Sequence, residues 1–233
     1  MTKMRTISEY KDMALESLSD NWGQGALVTF VYLLTYCGII FTIALLVNIF
    51  STGSEASTEA LSNTVVNVVG LSLLPLEFGL AANFLNLSRG KGLSINQLFD
   101  GFNDYKRIFT TLLLVQIYTA LWALLLFIPG VVKSYSYSMT PFILKDNPTM
   151  KNNEAIELSM KLMKGHKMQL FLLDLSMIGW ALLCMLTLGL GILLLQPYNT
   201  TAHAAFYRDL INDYDDADGN ESFGAGPDFE EVQ

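Results

Sequence analysis

Three times along the chain, a stretch with apolar residues at helical spacing runs into an almost unbroken apolar segment. In the first, Ile7, Tyr10, Ala14, Leu18 and Trp22 recur opposite Lys11, Asp12, Glu16 and Asp20, which is the period of an amphipathic helix. Thr6 and Glu9 stand at capping-box spacing at its start. An apolar run at 25–50 follows, then a loop rich in Ser, Thr and Glu, then a second run at 65–87 that is interrupted by Pro75 and carries Glu77. The theme returns with Ser94 as a cap and Ile95, Leu98, Phe99, Phe102, Tyr105 and Phe109 on one face, leading into runs at 110–128 and 129–145 that meet at Pro129-Gly130. In its third statement, Ile156, Met160 and Met163 face away from Glu154, Glu157, Lys161 and Lys164, and runs at 170–187 and 190–208 follow.

Runs of this kind are long enough to cover the ~30 Å of hydrocarbon in a bilayer. The pattern predicts an all-α, polytopic membrane bundle with six transmembrane helices and three amphipathic interfacial helices. The run at 129–145 is the shortest test of that count, since as a helix it covers only roughly 26 Å. A re-entrant hairpin that returns to its own side satisfies the same pattern. Residues 1–210 form the membrane domain in this reading, and 211–233 an acidic, disordered tail.

Composition agrees with the pattern. Hydrophobic residues make up 52% of the chain and charged residues 15%, against about a quarter charged in an ordinary soluble domain. The net charge of −8 belongs to the C-terminus: nine of the 22 acids lie from Asp209 onward, and without them 13 acids face 14 Lys and Arg. Positive residues on short loops mark the cytoplasmic side. Six crossings put Lys3, Arg5, Lys11, Arg89, Lys91, Lys106, Arg107, Lys145, Lys151, Lys161, Lys164, Lys167 and Arg208 on one side with both termini, and leave Lys133 as the lone external cation. Cys37 and Cys184 both sit in apolar runs, where a thiol acts as a small hydrophobe rather than a disulfide partner or ligand.

The stretch I-P-G-V-V-K-S-Y-S-Y-S-M at 128–139, the pattern A-I-x-L-S-M-x-L-M-x-G-H-K at 155–167, Ile178-Gly-Trp180, Gln196-Pro-Tyr198 and Ala205-Phe-Tyr207 together resemble a bacterial family of six-span integral membrane proteins of unknown function. That family is distantly similar to the membrane domain joined to some glycerophosphodiester phosphodiesterases. The resemblance implies a multi-pass protein of the bacterial plasma membrane, and it carries over no catalytic residue.

Ionisable and amide groups inside apolar runs are the candidates for function, because such groups are expensive in a membrane and face a partner or a water-filled cavity. Glu77 and His203 stand at similar distances from the external ends of their runs, which allows them to share a depth and pair, either as a structural hydrogen bond or as a proton relay or cation site. Gln196, Asn199 and Thr200 form a polar turn around Pro197, whose missing N–H frees a carbonyl of the kind that lines substrate sites in transporters. Lys133 is a candidate contact for a lipid phosphate or another anion, and Asp174 with Arg208 a candidate structural pair.

With two histidines, no nucleophile motif and no ligand cluster, the expectation is a protein that is not an enzyme and that holds no metal and no cofactor. Asp216, Asp218 and Gly219 echo a calcium loop, but Tyr214 and Ala225 occupy its first and last ligand positions. The expected partners are the lipid bilayer and, at the cytoplasmic face, a second copy of the chain or another protein; nucleic acid is not expected. A transporter-like or membrane-remodelling role leads, with a scaffold or envelope-stress role through the surface helices as the alternative. A transporter requires a polar cavity joining Glu77, His203 and the turn at 196–201; a scaffold requires the same groups paired in a dry core.

Overall fold

A computed structural model describes residues 4–51, 53–187 and 189–218, and every regular element among them is helical. Eleven α-helices follow in order: α1 Ile7–Leu18, α2 Trp22–Phe50, α3 Glu55–Ser72, α4 Leu74–Ser88, α5 Ile95–Leu98, α6 Tyr105–Leu125, α7 Phe127–Tyr137, α8 Thr140–Asp146, α9 Asn152–Leu162, α10 Lys167–Leu186 and α11 Ile192–Asp218. A 3₁₀ turn, Asp100–Phe102, follows α5.

The helices form three antiparallel hairpins: α2 with α3, α6 with α7, and α10 with α11. Four helical stretches are long and apolar enough to cross a membrane, namely Trp22–Phe50, Glu55–Ser88 (α3 and α4 end to end), Tyr105–Leu125 and Lys167–Cys184. The sequence predicts six. The fourth predicted run, 129–145, is broken instead at Ser138 and Met139, because Pro141 has no N–H to continue α7 and starts α8 in its first turn. In the sixth, the helix that begins at Ile192 continues past the predicted end through Asp218. It continues because Leu210 and Ile211 are buried and Tyr214 packs against the core. The rest of the acidic tail and the calcium-like Gly219 lie outside the described residues.

Helix α4 is the centre of the molecule. Every residue in it is buried except Glu77, with α11, α5, α6, α8 and α1 packed around it. Residues 95–102 approach α4 so closely that a Cβ at Gly79 would lie 1.9 Å from the carbonyl oxygen of Leu98. Side chains finish the seam: Asn83 accepts from the Ser94 amide at 3.1 Å, and Asn86 donates to Gln97 at 3.0 Å.

The short helices rest on the legs of the hairpins, and this follows from where their apolar positions fall. In α1, the Thr6–Glu9 capping box sets the start and Tyr10, Ala14 and Leu18 are buried. Tyr10 meets Phe206 of α11 edge-on at 5.2 Å, and Arg5 pairs with Asp209. Burial, reinforced by the Asp209 carboxylate, raises the Tyr10 phenol well above its usual pKa and keeps it protonated. In α9, Ala155, Ile156, Leu158, Ser159 and Leu162 are buried, and the Ser159 hydroxyl donates to the carbonyl of Ser136 in α7 at 2.9 Å.

Candidate functional site

The one outward position of α4 opens onto two adjoining recesses. The larger, about 570 Å³, is lined by Tyr32, Tyr36, Asn67, Gly70 and Leu74 with Glu77 and Gln116. The smaller, about 190 Å³, joins Leu74, Glu77 and Gln116 to Thr119, Ser134, Tyr137 and Ser138. Glu77 and Gln116 therefore stand on the ridge between them. The Tyr32 and Tyr36 rings stack at 6.1 Å between centroids. Among the described residues, no Lys, Arg or His forms an ion pair with Glu77. A carboxylate, an amide and the hydroxyls of tyrosine, serine and threonine around an open space are chemistry that can receive a cation: the carboxylate supplies charge, and the amide and hydroxyl oxygens accept from an N–H donor.

His203 does not join Glu77. Its Nε2 lies 2.6 Å from Oδ1 of Asp174, whose Oδ2 accepts from the Tyr135 hydroxyl at 3.0 Å. The predicted Glu77–His203 pair is thus replaced by a trio linking α7, α10 and α11. Equal distances along two runs said nothing about which helices are neighbours, and α10 rather than α4 faces His203. Arg208 is not Asp174's partner either; it donates to the backbone carbonyl of Ser88 at the end of α4. Replacing Asp174 with Asn is expected to cost about 1–3 kcal/mol by removing the charge from a hydrogen-bonded pair, and Tyr135→Phe about 1 kcal/mol. Thermal unfolding of the purified protein measures both.

Lys133 is not an isolated outward charge. Its ammonium lies 4.9 Å from the centre of the Trp122 ring and 6.0 Å from that of Tyr137. It also reaches Sδ of Met160 at 4.0 Å. Met160 sits in α9 between the exposed residues Glu157 and Lys161, so α7 and α9 are neighbours in the bundle. Counting charges along the chain carries no information about such neighbours.

The polar turn at 196–201 is continuous helix within α11. Pro197 packs against Gly25 of α2, Gln196 and Thr200 are half-buried, and Oδ1 of Asn199 is buried without a hydrogen-bond partner. These residues do not line the Glu77 recesses, so the cavity reaches one of the three features that a transport pathway was expected to join. Gln116 was missed from sequence. The signal that singled out Glu77, a polar side chain inside an apolar run, applies to Gln116 equally.

At the far end of α4, Asp146 holds the guanidinium of Arg89 through both oxygens at 2.6 Å and accepts from Tyr207 at 2.9 Å. Burial opposes the charge on Arg89, and the hydrogen bond and charge of Asp146 more than reverse this, so its pKa lies above the ordinary value.

A family described as a protein of unknown function (DUF975) matches residues 124–213. The match begins at the tip of the α6–α7 hairpin and takes in Lys133, Tyr135, Asp146, Asp174, His203 and Tyr207, while Glu77, Arg89 and Gln116 lie outside it. No curated protein and no solved structure matches the chain.

Proposed function

We propose that the chain is a non-enzymatic integral membrane protein that binds an ammonium-bearing group in the groove at Glu77. The observation that carries this reading is the unpaired carboxylate at the junction of two open recesses, on the one position of a buried helix that is not itself buried. The open carboxylate favours a transporter-like role, whereas the His203–Asp174–Tyr135 trio and the packed turn at 196–201 are the paired groups that the scaffold alternative requires. The distribution of Lys and Arg supports termini on the cytoplasmic side, and the family resemblance supports a bacterial plasma membrane. The three hairpins supply six membrane-embedded legs.

The test is calorimetric titration of choline and of ethanolamine into the protein held in phosphatidylglycerol nanodiscs, which contain no amine lipid. Glu77→Gln is expected to weaken binding at least tenfold, or about 1.4 kcal/mol, with no change in thermal stability. Equal affinity of wild type and variant, or no heat from the wild type, rejects the reading.

A further inference from the structure

Three arginines gather where the end of α4 lies against α1 and α11, and one of them has no carboxylate of its own. Arg5 pairs with Asp209 and Arg89 with Asp146. Arg208 donates to the backbone carbonyl of Ser88. Among the described residues, no Asp or Glu forms an ion pair with it. A guanidinium carries five donor hydrogens, so the contact with Ser88 leaves most of the fork unused. The charge is half-buried and is repelled by those of Arg89 and Arg5, while Asp209, which attracts it, is already engaged by Arg5. An arginine in this position is a cation waiting for an anion.

There is room for one. Arg208 lines an open recess of about 450 Å³ between α1, the segment 87–92 and α11, within the size range of small-molecule sites. Each wall contributes polar side chains: Ser17 and Asn21 from α1, Lys91 from the turn after α4, and Arg208 from α11. Lys91 is exposed. Asn21 uses one amide hydrogen on the carbonyl of Ser17 at 3.4 Å, which leaves the other. Among the described residues, the one acid in the lining is Glu16, which is exposed, so two cations stand against it. A carboxylate ligand offers two oxygens and is satisfied by a single guanidinium fork. Donors on three separate walls suit an anion with three outward oxygens, and the planar fork of arginine holds a phosphate bidentately.

We propose that this recess binds a phosphate ester, with Arg208 as its principal ligand and Lys91 and Asn21 assisting. The same donors serve the phosphate of a lipid headgroup and that of a soluble ester. Glu16 moderates the affinity by placing a negative charge in the same lining. The site shares no lining residue with the recesses at Glu77, so it stands apart from the ammonium reading.

The test uses the delipidated full chain in maltoside detergent without phosphate. Calorimetric titration of glycerol 3-phosphate probes the soluble source. Native mass spectrometry with dioleoyl phosphatidate probes the lipid source, and dioleoylglycerol, the same lipid without its phosphate, is the control. One phosphate ester is expected to bind per chain, and the arm that responds identifies the source. In that arm, Arg208→Gln is expected to weaken binding about tenfold or more. Glu16→Gln, which removes the opposing charge from an exposed position, is expected to tighten it about twofold or more. Absence of binding in both arms overturns the proposal, as does wild-type affinity in Arg208→Gln or equal binding of dioleoylglycerol. Arg208 also holds the end of α4 through Ser88; should its variant fail to fold, Glu16→Gln decides, and unchanged affinity there rejects the site.

Discussion

Gly79→Ala is expected to destabilise the fold by at least ~3 kcal/mol, at the upper end of what overpacking costs. The added methyl would sit 1.9 Å from the carbonyl oxygen of Leu98 and 2.5 Å from its carbonyl carbon. Both are backbone atoms, so no rotamer change relieves the clash; residues 95–102 must move off α4 as a unit. That movement opens the seam closed by the Asn83 and Asn86 hydrogen bonds and uncovers Leu98, which is fully buried. The measurement is the melting temperature in detergent, read as the fraction that stays monodisperse after heating. Gly38→Ala is the control. Nothing lies within 4 Å of a Cβ built there, and in mid-helix alanine is favoured over glycine by roughly 0.5–1 kcal/mol. The two variants should therefore move in opposite directions, and equal melting temperatures would show that the contact at Gly79 is not tight.

Asp146→Asn is the second change with a large expected effect. The Asp146 side chain is 2% exposed and that of Arg89 17%, so removing the carboxylate leaves a guanidinium largely shut off from water with no counter-charge. Breaking a buried pair from one side costs about 3–5 kcal/mol. Replacing both members with apolar residues, Arg89→Met with Asp146→Leu, is expected to cost less than Asp146→Asn alone, because no charge is then stranded. Tyr207→Phe removes one neutral donor and should cost about 1 kcal/mol. A double-mutant cycle on thermal unfolding checks all of these, and additive losses would mean that Arg89 and Asp146 do not act as a pair.

Much of the helical layout was legible in the chain. The first apolar run, predicted at 25–50, is the helix Trp22–Phe50, and the capping box at Thr6 and Glu9 starts α1 where its spacing indicated. Glu77 stood out because an acid is out of place in an apolar run, and that property is local. The break between α7 and α8 was not drawn from sequence, although Pro141 offered a local signal for it. His203 with Asp174, and Lys133 with Trp122 and Met160, were not legible in the same way. Periodicity tells which side of a helix is apolar, but not which helix stands opposite.

By itself, the sequence determined that the chain is helical, that its apolar runs suit a membrane, and that a few polar groups are misplaced within them. Each of these rests on interactions between residues within a turn or two, or between a segment and its solvent. Tertiary structure alone decided that Glu77 opens into a groove while His203 is tied to Asp174, and that Lys133 keeps company with α9. These depend on which helices are neighbours, and that is settled by packing around the buried helix α4, whose partners come from every part of the chain.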